Sequence, residues 1–284
     1  MFIPSILIIE KTYGLIKIFI PYLLIFITLS LIFFERKKIY ALLAIILTGI
    51  LGWIIFNFPN LNQPLLPLLS GLFGSSSILI SIKNKQKIPE QIITNPKINL
   101  RRPLIGAIIA SPLCSFLPAL GSGQAAIIGN FFSSRNSDRK EFLVLIGAIN
   151  TLIMGLSFIT FYAISKTRTG ASAAIKEIIG SLSLKILILI LAVSIISGVF
   201  SFFLTIFLAK FFSKKIYQIN YLKLSLFALF ILLIVVFLVS GIIGISILVI
   251  STITGIYCIN LGVRRTNMMG CLIIPTIIYY LFLL

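Results

Sequence analysis

The run LSLFALFILLIVVFLV, residues 224–239, decides the class of this protein. It contains no charged residue, and a second uncharged run, GIIGISILVISTITGIYCI, follows at residues 241–259. A helix that crosses the hydrocarbon core of a bilayer needs about 20 largely apolar residues. The two runs therefore predict two consecutive membrane segments.

The whole chain is apolar and poor in charged residues. Of its 284 residues, 59% are hydrophobic and 11% are charged, whereas soluble domains carry roughly 25% charged residues. We expect an all-α polytopic membrane protein with about eight apolar segments and one irregular stretch at 103–132. The eight segments are 18–34, 40–58, 65–82, 142–164, 186–208, 224–239, 241–259 and 268–284.

The net charge of +18 could indicate binding to nucleic acid, because Lys and Arg neutralise phosphates. However, the basic residues lie in short runs between apolar stretches, as in Arg36-Lys37-Lys38 and Lys214-Lys215. That placement is typical of cytoplasmic loops beside membrane helices. We expect membrane lipids as surroundings and no nucleic-acid partner.

Metal-dependent and acid–base chemistry lack their usual residues. The sequence has no histidine, and its three cysteines lie in apolar segments, so we expect no metal site, no cofactor and no disulfide. All six acidic residues fall in loops or at helix ends, which argues against an intramembrane proton relay. Coupling to sodium through carbonyl and hydroxyl oxygens stays open, whereas an intramembrane enzyme is disfavoured.

The stretch 103–132 is too long for one comfortable span and too short for two. Pro112, Pro118, Gly121 and Gly123 near its middle are poor residues for continuing a helix. Two alternatives are one long kinked helix, or two half-helices that meet at a broken loop.

The distribution of positive charge favours a re-entrant hairpin at 103–132. If this stretch returns to its own side of the membrane, 18 of the 24 Lys and Arg residues share one face. If it crosses once, the split is roughly 13 to 11, with little bias. We therefore expect a single transmembrane domain, 1–284. It comprises first helices at 13–82, a basic cytoplasmic loop at 83–102, the hairpin, and the remaining helices at 142–284.

Broken backbone at membrane depth survives only where protein buries it or where it lines a watery cavity. Secondary transporters use such helix ends to bind substrates and ions. The loop is therefore the first candidate substrate site, with a packed proline kink as the alternative. Its candidate residues are Pro118, Gly121, Ser122, Gly123 and Gln124.

Three further candidates carry polar side chains beside apolar segments. Asn150 and Thr151 could coordinate a substrate or ion, or form interhelical hydrogen bonds. Arg168 could attract a carboxylate through its planar fork of donors, or anchor the chain at the membrane interface. The run Ser75-Ser76-Ser77 could line a cavity, although close helix packing is favoured.

Four segments carry a resemblance to a known family. The run FLPALGSGQAA at 116–126 resembles the Pro-Gly loop of the tripartite tricarboxylate transporter permease family, in its archaeal TctA-like branch. PLLSGLFG at 67–74, INT at 149–151 with KTRTGA at 166–171, and GVRRTNMMG at 262–270 with LIIPT at 272–276 are similar to further family segments in the same order. The resemblance covers roughly residues 40–284.

The resemblance implies a permease that moves a small, anionic, carboxylate-type solute across the cell membrane by secondary transport. Two departures stand out: the family has Gly where this chain has Ala119, and the chain is expected to lack the family's first half with its second Pro-Gly loop. A second permease half or a second copy of the chain are therefore candidate partners. An incomplete or split subunit, or a non-transporting membrane partner, is the alternative function.

Overall fold

The computed structural model describes residues 19–59, 61–86, 88–89, 91, 99–133, 138–216 and 219–282. The helices in these ranges are α1 Phe19–Phe33, α2 Lys38–Phe56, α3 Leu65–Lys83, α4 Arg101–Phe116, α5 Ser122–Ser133, α6 Arg139–Ile164, α7 Gly170–Ile179, α8 Leu184–Lys215, α9 Tyr221–Asn260 and α10 Gly270–Phe282. A π-helical turn, Ser70–Ser75, interrupts α3, and a 3₁₀ turn, Arg265–Met269, precedes α10. The predicted all-α membrane fold is confirmed.

Five of these helices, α2, α3, α6, α8 and α9, are long and apolar enough to cross a membrane. The predicted segment 186–208 extends to Leu184–Lys215, and α7 was absent from the sequence prediction. Residues 13–18 and 283–284 of the predicted helices, and part of the predicted loop at 83–102, lie outside the described ranges.

Side-chain caps fix several helix boundaries. The Asp138 carboxylate accepts a hydrogen bond from the Arg139 N–H at the start of α6. The Thr169 hydroxyl and Ser172 form a reciprocal capping box at the start of α7. The Asn220 side chain accepts from the Leu222 N–H where α9 begins. These caps satisfy donors that have no partner inside the helix.

The described chain divides into two compact units. In the first, helices α4, α5 and α6 pack on one another, with α7 against α6. Small residues at the α4–α5 contact permit a close approach: a Cβ atom on Gly106 would overlap the Gly129 carbonyl oxygen. Most of the exposed side chains along α8 are large and apolar, with Phe200 73% exposed and Phe207 66% exposed, as expected of a helix whose solvent is lipid.

The second unit contains α2, α3, α9 and α10, and most of α1. Its core joins α2, α3, α9 and α10 through Ile55, Leu72, Ile247 and Cys271, all buried. This division into compact units does not test the expectation of a single transmembrane domain, which stays a prediction.

Helix α9 reverses direction at Gly241, where the backbone has φ 64° and ψ −157°. Before the break, the Leu232 side chain lies beside Gly74 of α3. After the break, the Thr252 hydroxyl lies 2.5 Å from the Ser75 hydroxyl of α3. Because both halves reach the same level of α3, they run in opposite directions. The sequence prediction ended one segment at residue 239 and began the next at Gly241, so it located this break.

A buried acid joins two loops at one end of the second unit. Glu35 is 8% exposed, and its Oε2 atom lies 3.7 Å from Arg264 Nε. The same oxygen accepts from Asn267 Nδ2 at 3.3 Å. Lys37 Nζ donates to the Leu261 carbonyl at 3.3 Å. The basic residues of the two loops therefore share one end of this unit, whereas their side of the membrane stays a prediction.

Candidate functional site

The break between α4 and α5 follows from the residues that interrupt them. Leu117 has an extended backbone, φ −84° and ψ 126°, as the residue before a proline prefers. Ala119 adopts φ 63°, in the left-handed region. Helix α5 then begins at Ser122. Of the two alternatives for 103–132, the structure shows two helices and a broken loop.

The two helices form an antiparallel hairpin. Close to the break, the Cys114 thiol lies 3.4 Å from the Gly121 carbonyl oxygen. Farther from it, Gly106 meets Gly129. With increasing distance from the break, the residue numbers fall along α4 and rise along α5, so the chain folds back on itself. Re-entry to one side of a membrane stays a prediction.

Gln124 is the central polar residue of the break. Its side chain is fully buried, and its Oε1 atom accepts a hydrogen bond from the Gly121 N–H at 2.9 Å. That bond fixes the orientation of the amide, because exchanging oxygen and nitrogen would place two donors face to face. The Nε2 atom is then left without a hydrogen-bond partner in the described part of the chain. A buried NH₂ group without an acceptor costs about 1–3 kcal/mol.

Arg168 reaches the opposite side of the break. Its Nη2 atom donates to the Cys114 carbonyl oxygen at 2.6 Å and also to the Leu117 carbonyl oxygen. These carbonyls belong to the end of α4, where a helix has unpaired acceptors and a partial negative charge. Arg168 therefore caps α4 and brings a positive charge to the break.

Two buried serines place Arg168. The Ser157 hydroxyl of α6 accepts from the backbone N–H groups of Arg168 at 3.2 Å and Thr169 at 3.1 Å. It also lies 2.8 Å from the Ser172 hydroxyl of α7. Sequence reasoning missed this cluster, although Thr169 and Ser172 have the spacing of a capping box.

The structure brings most of the predicted site residues together. Pro118, Gly121, Ser122, Gly123 and Gln124 all lie at the break, and Arg168 joins them through Cys114 and Leu117.

Asn150 and Thr151 lie elsewhere on α6. Both are exposed, and the Thr151 hydroxyl donates to the Gly147 carbonyl of its own helix at 3.0 Å. They are six and seven residues from Ser157, which is roughly 9–11 Å along the helix axis. Ser75, Ser76 and Ser77 belong to the second unit, where α3 packs closely on α9.

The break therefore presents donors. The Gln124 amide, the first N–H groups of α5 and the Arg168 guanidinium are all suited to an oxygen anion. Within the described ranges, no group of three His, Cys, Asp or Glu residues could hold a metal ion. The groups at the break are suited to recognising an anion.

Comparisons with known proteins agree with this picture. An uncharacterized protein of Methanocaldococcus jannaschii is 29% identical over 277 residues, which cover 95% of this chain and 68% of that protein. No solved structure matches the chain.

The model of the tripartite tricarboxylate transporter TctA family matches residues 1–270, so the similarity begins well before residue 40. This is a family of transporters and not of enzymes, and its members work with other subunits. The chain is therefore a membrane permease component that belongs to the tripartite tricarboxylate transporter TctA family.

Proposed function

We propose that this multi-pass protein of the cell membrane moves a small carboxylate-type anion by secondary transport, and that the α4–α5 break forms part of its substrate site. The observation that carries the proposal is the Gln124 Nε2 group, which is fully buried and has no acceptor in the described part of the chain. A carboxylate oxygen would supply that acceptor.

The surroundings of Gln124 support an anion in preference to a cation. The N-terminus of α5 carries a partial positive charge, and its first N–H groups lack partners within the helix. Arg168 occupies the two carbonyl oxygens that could otherwise attract a cation. Its role in the proposal is to neutralise the end of α4 and to position the break.

The test compares Gln124→Leu with Gln91→Leu, which makes the same change at an exposed loop residue. Uptake of labelled mono-, di- and tricarboxylates, citrate included, is measured in cells that also contain the partner subunits. Thermal stability of the purified proteins is measured in parallel. We expect Gln124→Leu to lose at least about tenfold in uptake, the equivalent of about 1.4 kcal/mol of substrate interaction.

The stability measurement separates binding from packing. Gln124→Leu removes the acceptor of the Gly121 N–H but also removes the buried Nε2 group that has no acceptor. The two effects on the free energy of unfolding offset each other, so we expect little change in stability under either interpretation. Normal uptake per folded molecule would return the loop to the status of a packed kink. Arg168→Lys forms a second arm: it keeps the charge at the end of α4 but loses the planar fork that reaches the Cys114 and Leu117 carbonyls. The break is then positioned less well, so we expect weaker carboxylate binding with unchanged expression.

The alternative is that the chain is a split subunit or a non-transporting membrane partner. Reconstitution into vesicles with and without the other subunits distinguishes the cases. Carboxylate uptake that depends on this chain and on an intact Gln124 supports the permease. A partner that transports equally well without this chain would favour the alternative.

A further inference from the structure

Exposed cations gather at the end of the second unit where the α1–α2 and α9–α10 loops lie side by side. The basic cluster consists of Arg36, Lys37, Lys38, Arg264 and Arg265, all of them exposed. Glu35 holds the two loops together. Its Oε1 atom accepts from the Arg36 N–H at 3.3 Å, and its Oε2 atom accepts from the Arg264 N–H at 3.4 Å. Residues that are 229 positions apart in the sequence thus form one surface.

Further contacts fix the backbone under the basic cluster. Glu35 Oε2 accepts from Asn267 Nδ2 at 3.3 Å, and Lys37 Nζ donates to the Leu261 carbonyl at 3.3 Å. Gly262 turns the second loop with φ 72°, and a Cβ atom added there would lie 3.3 Å from Lys37 Nζ. Because the loops are already ordered, a ligand that binds to them costs little additional loop entropy.

The charges of the basic cluster do not balance. Glu35 is the only acidic residue in the described part of the second unit, and it is ion-paired with Arg264. None of the other four cations forms an ion pair within the described ranges. Five cations and one carboxylate leave a net charge of +4. Like charges held on fixed backbone repel one another, so an anion bound at this surface stabilises it.

Large apolar side chains border the basic cluster. Helix α1 ends at Phe33, which is 68% exposed, and Ile39 in the first turn of α2 is 80% exposed. Lys38 Nζ lies 4.5 Å from the centre of the Phe33 ring, so charge and apolar surface are in contact. A soluble anion uses only the cations, whereas a lipid uses both its headgroup and its acyl chains here.

We propose that the basic cluster binds a membrane lipid with an anionic phosphate headgroup. The arginine and lysine donors of the two loops contact the phosphate oxygens, and Phe33 and Ile39 pack against the acyl chains. The bound lipid bridges the two loops and stabilises the second unit. The proposal is independent of carboxylate transport, because it uses none of the residues at the α4–α5 break.

The test uses phosphatidylglycerol as the anionic lipid and phosphatidylcholine as the neutral lipid. Purified protein in micelles of a neutral detergent is titrated with each lipid. Bound lipid is counted by native mass spectrometry, and the melting temperature is measured in parallel. We expect saturable binding and a higher melting temperature with phosphatidylglycerol, because at about ten times the dissociation constant the lipid shifts the unfolding equilibrium about tenfold. Equal responses to the two lipids would overturn the proposal.

Inorganic phosphate forms a third arm of the titration, because it offers the same oxygen anion without acyl chains. We expect no rise in melting temperature at phosphate concentrations equal to those of the lipid. An equal rise with inorganic phosphate would assign the basic cluster to a soluble anion and would overturn the lipid proposal.

The double variant Arg36→Gln with Arg265→Gln removes one cation from each loop. Both side chains are exposed, and neither is ion-paired within the described ranges, so we expect an unchanged melting temperature in phosphatidylcholine. A basic side chain strengthens attraction to an anionic lipid surface about fivefold, so the dissociation constant of phosphatidylglycerol should rise about 25-fold. Arg265→Gln alone is the second variant, with an expected rise of about fivefold.

Lys210→Gln with Lys214→Gln is the matched control. It removes the same charge from exposed positions near the end of α8, outside the basic cluster. We expect the control to bind phosphatidylglycerol as the wild-type protein does. An equal loss of binding in the control would show a general surface attraction. That result, or unchanged binding in the Arg36 and Arg265 double variant, would exclude the site.

Discussion

Two breaks in the described helices differ in kind: one lies between α4 and α5, and the other lies at Gly241 in α9. At the first break, the Gln124 side chain and the Arg168 guanidinium bind the freed backbone groups. At the second, the chain turns on a single glycine, and Ser240 donates to the Asn62 carbonyl at 2.9 Å. Polar side chains from distant parts of the sequence thus converge on one break, whereas the other depends mainly on backbone geometry.

Helix length explains the difference. Helix α4 has 16 residues and α5 has 12, so they are about 24 and 18 Å long. Neither spans a hydrocarbon core of about 30 Å. The two halves of α9 share 40 residues and are each about 30 Å long. A turn between full-length arms reaches water, whereas a turn between short arms needs protein groups as partners.

The largest effect is expected from thiol labelling, which tests whether the short arms return to their own side. Lys140 and Lys166 are exposed at opposite ends of α6. In a variant without the three native cysteines, we expect Lys140→Cys to resist an impermeant reagent in intact cells and Lys166→Cys to react. If the stretch 103–132 crossed the membrane once, Lys140→Cys would react and Lys166→Cys would resist. The α4–α5 break would then not be a turn between arms that return to their own side.

A smaller effect, in free energy of unfolding, should follow from Gly241→Ala. No atom lies within 4 Å of a Cβ added at Gly241, so only its φ of 64° and ψ of −157° resist the methyl group. We expect a loss of about 2 kcal/mol in denaturant titrations, because side chains avoid this backbone region. Gly198→Ala in α8 is the matched control, since it is equally open but lies within a helix. At Gly198 the alanine substitution should raise the free energy of unfolding by up to about 1 kcal/mol. If the two substitutions changed the free energy of unfolding equally, the backbone geometry of Gly241 would not be what holds the turn.

The smallest effect is expected from Ala119→Gly at the first break. Ala119 has φ 63°, a conformation that costs an L-residue about 1–2 kcal/mol. Glycine avoids that cost but gains freedom in the unfolded chain, so we expect a net stabilisation of about 0.5–1 kcal/mol. The buried Ala125 of α5 provides the control, since Ala125→Gly should lose about 1 kcal/mol. A destabilised Ala119→Gly protein would mean that the methyl group packs.

The features that could be predicted from the sequence are those that depend on local composition. Apolar runs located the long helices, and the cluster of Pro118, Gly121 and Gly123 located the break. It also drew attention to Ala119, whose backbone adopts the left-handed region that glycine enters without strain. These signals are local because a spanning helix satisfies its own backbone.

What the sequence could not predict depends on contacts between distant residues. Arg168 binds carbonyls 54 and 51 residues earlier, so its motif suggested either a ligand contact or an interfacial anchor and not a helix cap. The close approach of Gly71 in the π-helical turn to Ser251 also joins residues that are far apart in the sequence. Glu35 was assigned to a loop, and only the fold buries it beside Arg264.

The partners of Glu35 have a consequence for biosynthesis. Asn267 and Arg264 follow Glu35 by 232 and 229 residues, whereas Arg168 follows the carbonyls that it caps by at most 54. A ribosome adds about 5–20 residues per second, so the Glu35 carboxylate waits roughly 10–45 s for its partners after it is made. The hairpin unit can complete its hydrogen bonds while the other unit still lacks its last two helices. During that interval the Glu35 carboxylate has neither Arg264 nor Asn267 beside it, so the contact between residues 35 and 267 forms late in synthesis.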